Sequence, residues 1–552
     1  MKKIVPFLFI LFPTLILAQA PFVFKNYDLN TGSDNSFPNN YSILNGQIIM
    51  SAYNPSNGYE LWISDGTLSG SNLLKDIYAG TGNSFPLNLG QVKLNGKIYF
   101  NATQSATGTE LWESDGTSSG TKLLKDIFPG SASGLTQTTE MTLLNNKIFF
   151  IASVSAYGPE LWVSDGTDTG TKIIKDIYSG SLGSSIGQLT VFNGKLFFKA
   201  NNGKDGEELW VSDGTSDGTK LFKDINVGSS GSAINAMTVF NGKLYFKAFT
   251  TAAGDELWSS DGTALGTQML KEINPSTANG FFGDRLVASQ DRLFFSGDNG
   301  TNGVELWFTD GTADGTKMVN DIKPGVDGSY PTELIDHANT TLVFRASDGS
   351  HGYEPWLCNG KTYDTKMIKD IVVGAGSSDP GYFTLYKKHL IFQARNNASE
   401  VLLWVSDGTE SGTKTIAPPI TVTPAALAYT FTFFPFNNSL YFTAGFNDKG
   451  YELWSLTDTS LVSGGILPIE PNYNTLRVYP NPSKGMATVE INNAPAKPSD
   501  LKLFDMTGRV IINSEMTHKS KEMDLQNLEN GEYLLQLKTD QKVYYRKIIL
   551  LK

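Results

Sequence analysis

The sequence predicts an all-β chain: a β-propeller of about nine four-stranded blades closed by the N-terminal strand, followed by a small Ig-like β-sandwich. Three observations carry this. All nine tryptophans fall in one phase of one internal repeat: Trp62, Trp112, Trp162, Trp210, Trp258, Trp307, Trp356, Trp404 and Trp454, spaced by 50, 50, 48, 48, 49, 49, 48 and 50 residues. Each repeat holds four short strand-like runs and no helical period. After Ser463 the repeat stops, and alternating apolar–polar runs between Gly and Asn turns replace it.

The chain opens on an export signal at residues 1–18. Lys2 and Lys3 precede an apolar stretch of 14 residues, Ile4 to Leu17, too short for a comfortable membrane span. Ala18-Gln19-Ala20 offers small-residue cleavage points, and cutting after Ala18 avoids leaving Pro21 first. No later segment reads as a transmembrane helix in the mature chain.

The repeat region spans residues 21–463. One clean copy runs from Leu189 to Ile225, with strands expected at Leu189 to Phe192, Lys195 to Ala200, Glu208 to Ser212 and Lys220 to Ile225. Asn193-Gly194 suits a type I′ turn, because both residues accept positive φ. Asp213-Gly214-Thr215 begins a second turn. Such a unit cannot bury both its faces alone, so each needs neighbours. Radial stacking supplies them, with the tryptophan between adjacent blades.

The chain ends favour closure. An Asp or Glu follows the tryptophan by 14 residues at Asp76, Asp126, Asp176, Asp224, Glu272, Asp321 and Asp370, whereas the eighth and ninth copies place Pro418 and Pro468 there. At the start of the mature chain, Asp28 precedes Phe37 by nine residues, as Asp76 precedes Phe85. The chain therefore begins with an orphan fourth strand, which pairs with the last repeat and removes two exposed edges.

Glu208 to Lys220 read "ELWVSDGTSDGTK", and this stretch and its copies resemble the bacterial ELWxxDGT repeat family. The resemblance implies a secreted or surface-exposed protein and hands over no catalytic residue. The motif is full in six copies and partial in three. The seventh copy has Pro355, Asn359 and Asp364 in place of Leu, Asp and Gly; the eighth has Leu402 in place of Glu; the ninth lacks the Asp-Gly pair.

Residues 464–475 read as a linker and 476–552 as a separate module. Tyr479-Pro480-Asn481-Pro482, the Gly508-Arg509 turn, Asn530-Gly531-Glu532-Tyr533 and the end from Arg546 to Lys552 resemble the type A C-terminal sorting domain of the type IX secretion system. The resemblance implies partnership with that secretion machinery, passage across the outer membrane, and removal of the domain with release or surface attachment.

Few residues invite chemistry. The net charge of -11 excludes a nucleic-acid partner, which needs a basic face. The Asp-Gly-Thr aspartates (Asp65, Asp115, Asp165, Asp213, Asp261, Asp310 and Asp407) read as Asx-turn acceptors; calcium is the competing reading, disfavoured because each turn offers one carboxylate. The motif glutamates, such as Glu110 and Glu208, read as scaffold rather than as a glycosidase pair. The repeat region has four arginines, Arg285, Arg292, Arg345 and Arg395, with no cluster visible in their spacing. His337, His351 and His389 fall near the divergent seventh and eighth copies, and Cys358 replaces a motif serine. Among 33 Phe and 22 Tyr, most alternate within strands as core, and any on a loop face can stack on sugar rings.

No catalytic, cofactor-binding or metal site is therefore expected. The expectation is a non-catalytic protein displayed at the outer-membrane surface or released, binding a polysaccharide or protein. A secreted polysaccharide lyase or hydrolase and a structural surface-layer component are the alternatives.

Overall fold

The computed structural model describes residues 22–459 and 476–550, apart from short segments at 32–33, 138, 338–340, 360–361, 417–431, 447–449, 480–484, 492–498, 506–509, 529–530 and 539–542. The signal segment, the linker and the eighth-copy Pro418 lie outside the described residues. The chain divides into two units, Met1–Asp458 and Thr459–Lys552.

The first unit is built of nine four-stranded antiparallel sheets, counted among the described residues. The fourth is typical, with strands Gly187–Phe192, Lys195–Asn201, Glu207–Ser212 and Lys220–Lys223. Its first hairpin turns on Asn193 (φ 48°) and Gly194 (φ 70°), as the type I′ reading requires. The last strand is shorter than expected. A register shift between Leu209 and Trp210 disturbs the pairing, and the Ile225 N–H turns to the Glu208 carboxylate instead of continuing the ladder.

The ninth sheet contains Phe434–Phe436, Ser439–Ala444 and Glu452–Asp458, and its fourth strand is Phe22–Tyr27 from the chain start. Asn26 lies opposite Trp454. Glu452 Oε2 accepts the Leu29 N–H at 2.8 Å and the Ser36 hydroxyl at 2.6 Å, so the N-terminal segment is held by more than the ladder.

Side chains join the sheets in cyclic order. Every tryptophan is only 3% to 8% exposed. Trp210 packs with Phe149, Leu161 and Val163 of the third sheet, and Trp454 with Ile391, Leu403 and Val405 of the eighth. Trp62, of the first sheet, packs with Phe436, Tyr441 and Leu453 of the ninth. Each indole thus reaches the preceding sheet, and the last interface returns to the first. No single sheet closes on itself among the described residues. The arrangement is all-β and compatible with a propeller.

The second unit has two sheets. One holds Leu476–Tyr479, Met486–Ile491 and Ser520–Asp524; the other holds Ser499–Asp505, Val510–Met516, Gly531–Lys538 and Val543–Leu550. Val489 and Met523 of the first share a core with Leu501, Leu535 and Ile548 of the second, which makes a sandwich.

Candidate functional site

The repeated motif spends its polar groups on its own turns. In the fourth sheet, Asp213 Oδ1 accepts the Thr215 N–H at 2.9 Å and its hydroxyl at 2.7 Å. Thr215 Oγ1 accepts the Gly218 N–H at 2.9 Å, and the Thr219 hydroxyl donates to the Thr215 carbonyl at 2.7 Å. Ser212 Oγ accepts the Gly214 N–H at 3.0 Å. Gly214 has φ of 90°, and a Cβ at Gly218 would lie 2.0 Å from Asp213 Oδ1. The Ser-Asp-Gly-Thr-x-x-Gly-Thr order is therefore turn chemistry throughout. The Thr hydrogen bonds hold the Asp213 carboxyl below the usual carboxylate range. Among the described residues, no three His, Cys, Asp or Glu side chains gather where a metal ion could be held.

The motif glutamates are fully buried. Glu60 accepts N–H groups of Ile77 at 2.7 Å and Tyr78 at 3.1 Å, together with the Ser84 hydroxyl at 2.7 Å. One carboxylate therefore ties the end of the fourth strand to the segment entering the next sheet. Burial outweighs these donors and pushes Glu60, Glu110, Glu160, Glu208, Glu256 and Glu452 up to about 7.

Divergence in the seventh copy has a physical consequence. Where Tyr99, Phe149, Phe197, Tyr245, Phe294 and Tyr441 precede the partner of the tryptophan, the seventh sheet has Val343, and the first and eighth have Ile49 and Ile391. In other sheets such a ring reaches the turn glycine of the next sheet, as Tyr99 does Gly166 and Phe149 does Gly214. Beside Gly408 only the Leu357 side chain comes within van der Waals reach of a Cβ, at 3.7 Å. A cavity of about 400 Å³ lies between the seventh and eighth sheets. His337, Asn359, Asp364, Lys366 and Asp407 line it with Val343 and Leu390. Burial pulls the His337 imidazole below its usual value, which favours the neutral ring. The mixture of amide, carboxylate, ammonium and imidazole suits hydrogen bonding to a polar ligand. The loss of the aromatic at Val343 is a signal that aligned repeats carry, but its volume matters only once sheets are stacked.

The other singled-out residues separate. His351 Nδ1 is 2.8 Å from Asp348 Oδ2, and its Nε2 is 3.9 Å from Asp370 Oδ2. His389 Nε2 lies 3.5 Å from Asp458 Oδ2 and its ring meets Phe22 edge-on. Cys358 is fully buried and its thiol is pushed up to about 12 by burial, with Asp364 adding to the shift. Of the sorting-motif residues, Tyr479 ends a strand, Gly531 begins one and Tyr533 belongs to the sandwich core. Pro480, Asn481, Pro482, Gly508, Arg509 and Asn530 lie outside the described residues.

Residues 477–551 match the family of secretion system C-terminal sorting domains. No curated protein matches the chain. Among solved structures, a puromycin hydrolase is 14% identical with a TM-score of 0.34, covering 69% of this chain and 59% of its own. Prolyl endopeptidases give 14% and 0.35, covering 64% and 55%. The chain thus spans less than two thirds of these peptidases. PorZ of Porphyromonas gingivalis, an essential bacterial surface component of the type-IX secretion system, gives 11% and 0.18, covering 94% of this chain and 87% of its own. The sorting domain indicates export by the type IX system to the cell surface or beyond, and interaction with that machinery. No helix among the described residues is long and apolar enough to cross a membrane.

Proposed function

We propose that this protein is a non-catalytic, surface-displayed nine-bladed propeller that binds polysaccharide through the loops of its divergent copies. The sorting domain at residues 477–551 is the single observation that carries export. Binding rather than catalysis is supported by how the repeat uses its acids. The motif aspartates hold turns and the motif glutamates hold strand ends, so neither set is left to act on a substrate. The polar cavity between the seventh and eighth sheets is a place where the repeat departs from that scaffold. The ELWxxDGT resemblance and the N-terminal export signal agree with this reading.

Two measurements test it. Deleting Leu476 to Lys552 should leave the protein in the periplasm; normal levels in the medium would refute the export assignment. On a glycan array, the purified protein should bind saturably without releasing products. Product release without added cofactor would favour a lyase or hydrolase, and neither binding nor turnover would favour a surface-layer component.

A further inference from the structure

We infer that Arg345 and Arg395 form a subsite for the carboxylate of an acidic sugar, a deepening that rests on the glycan-binding reading above. Two of the four arginines in the repeat region converge here from adjacent sheets. Arg345 Nη1 is 3.8 Å from Asp379 Oδ1, and Arg395 Nε is 3.7 Å from Asp379 Oδ2. These separations exceed the ~2.7–2.9 Å of a charge-assisted hydrogen bond. Asp379 therefore gathers the two cations without using up their N–H donors. Arg345 Nε is buried and has no hydrogen-bond partner among the described residues.

The cluster is held in place. The Arg345 guanidinium lies 4.8 Å above the Tyr353 ring, a cation–π contact that fixes its plane. Asp379 has φ of 45°, the left-handed region that L residues avoid, and its N–H donates to the Tyr353 carbonyl at 3.2 Å. Asp379 offsets one of the two guanidinium charges. The fork of a guanidinium matches a carboxylate bidentately, which a lysine cannot do.

The surroundings favour a sugar over an acidic peptide. Arg345 pairs in register with Thr332, two residues after Tyr330, which is 47% exposed. Tyr382, three residues after Asp379, is 39% exposed. Both tyrosines are held at positive φ, 48° and 55°. Two exposed tyrosines on the segments that flank the guanidinium pair offer aromatic faces for the apolar face of a uronate ring, while its carboxylate is clamped. The Glu333 carboxyl lies near Gly381 and adds a negative charge to this edge.

The test is titration calorimetry on the full chain with oligogalacturonate and with its neutral methyl ester. Oligogalacturonate should bind, the ester should bind at least tenfold more weakly, and R345Q with R395Q should abolish that difference. Because R345Q could disturb the Tyr353 contact, R395Q alone, on the more exposed arginine, should still weaken oligogalacturonate several-fold at an unchanged melting temperature. Unchanged affinity in the double variant, or equal binding of acid and ester, overturns the subsite. Binding of neutral glycans only overturns it and leaves the glycan reading standing; binding of no glycan overturns both. Polyglutamate bound as tightly as oligogalacturonate overturns the sugar assignment.

Discussion

Asn26 sits directly opposite Trp454, so a residue near the start of the described chain completes a sheet whose other strands come from the last repeat. Tyr27 reinforces this pairing. It is 3% exposed, and its hydroxyl donates to the Gly66 carbonyl of the first sheet at 3.0 Å. Tyr27→Ala removes core area shared by the ninth and first sheets and should cost about 3–5 kcal/mol, as for other large aromatic truncations. Denaturant unfolding checks this; a loss below about 1 kcal/mol would show that closure does not contribute to stability.

The indoles permit a sharper comparison. Trp404 Nε1 donates to the Ala394 carbonyl at 3.2 Å, whereas Trp210 Nε1 is buried without a partner among the described residues. Trp210→Ala should cost about 3–5 kcal/mol. Replacement by Phe should be milder at both sites, with Trp404→Phe the costlier because it alone loses an indole hydrogen bond, worth about 1 kcal/mol. Equal losses in urea titrations would remove the distinction.

Burial raises the motif glutamates from 4.5 to about 7 in the fold. A raised carboxyl binds its proton more tightly when folded. Its stabilising contribution is complete below pH 4.5 and is lost as pH climbs through about 7. Thermal stability should therefore fall between pH 4.5 and pH 7, and Glu208→Gln should reduce that slope by one group's share. A slope of opposite sign across this window would mean that the N–H donors outweigh burial.

The motif turn predicts a non-additive pair. Asp213→Ala removes the acceptor for Thr215, at a cost of about 1 kcal/mol. Gly218→Ala forces a methyl group into the same carboxylate. In the Asp213→Ala background that clash is gone, so Gly218→Ala should then cost much less than it does alone. A double-mutant cycle measures this; strict additivity would mean that the two residues do not share one turn.

Cys358 should resist alkylation by iodoacetamide at pH 8 in the native state and react once the protein is denatured, because the thiolate is the nucleophile. Rapid native labelling would contradict its burial.

Short-range chemistry made much of this fold legible. The strand runs, the Asn193-Gly194 turn and the motif turn depend on neighbours a few residues away, so their residue types reveal them. The tryptophan spacing identified the interfaces, and the Asp28–Phe37 spacing identified the strand that closes the ninth sheet, because repetition turns long-range contacts into a periodic pattern. The shortened fourth strand was not readable, since it depends on where the buried Glu208 carboxylate points. The divergent seventh copy stood out in sequence, but not what its divergence did. Val343 and Gly408, from adjacent sheets, meet at the same cavity. Arg345 and Arg395 are 50 residues apart and carry no motif, yet Asp379 brings them together. The sequence by itself determined the four-stranded element and the N-terminal strand that completes the ninth sheet; stacking alone decided which irregular side chains meet, because that depends on the volume and charge of residues contributed by different sheets.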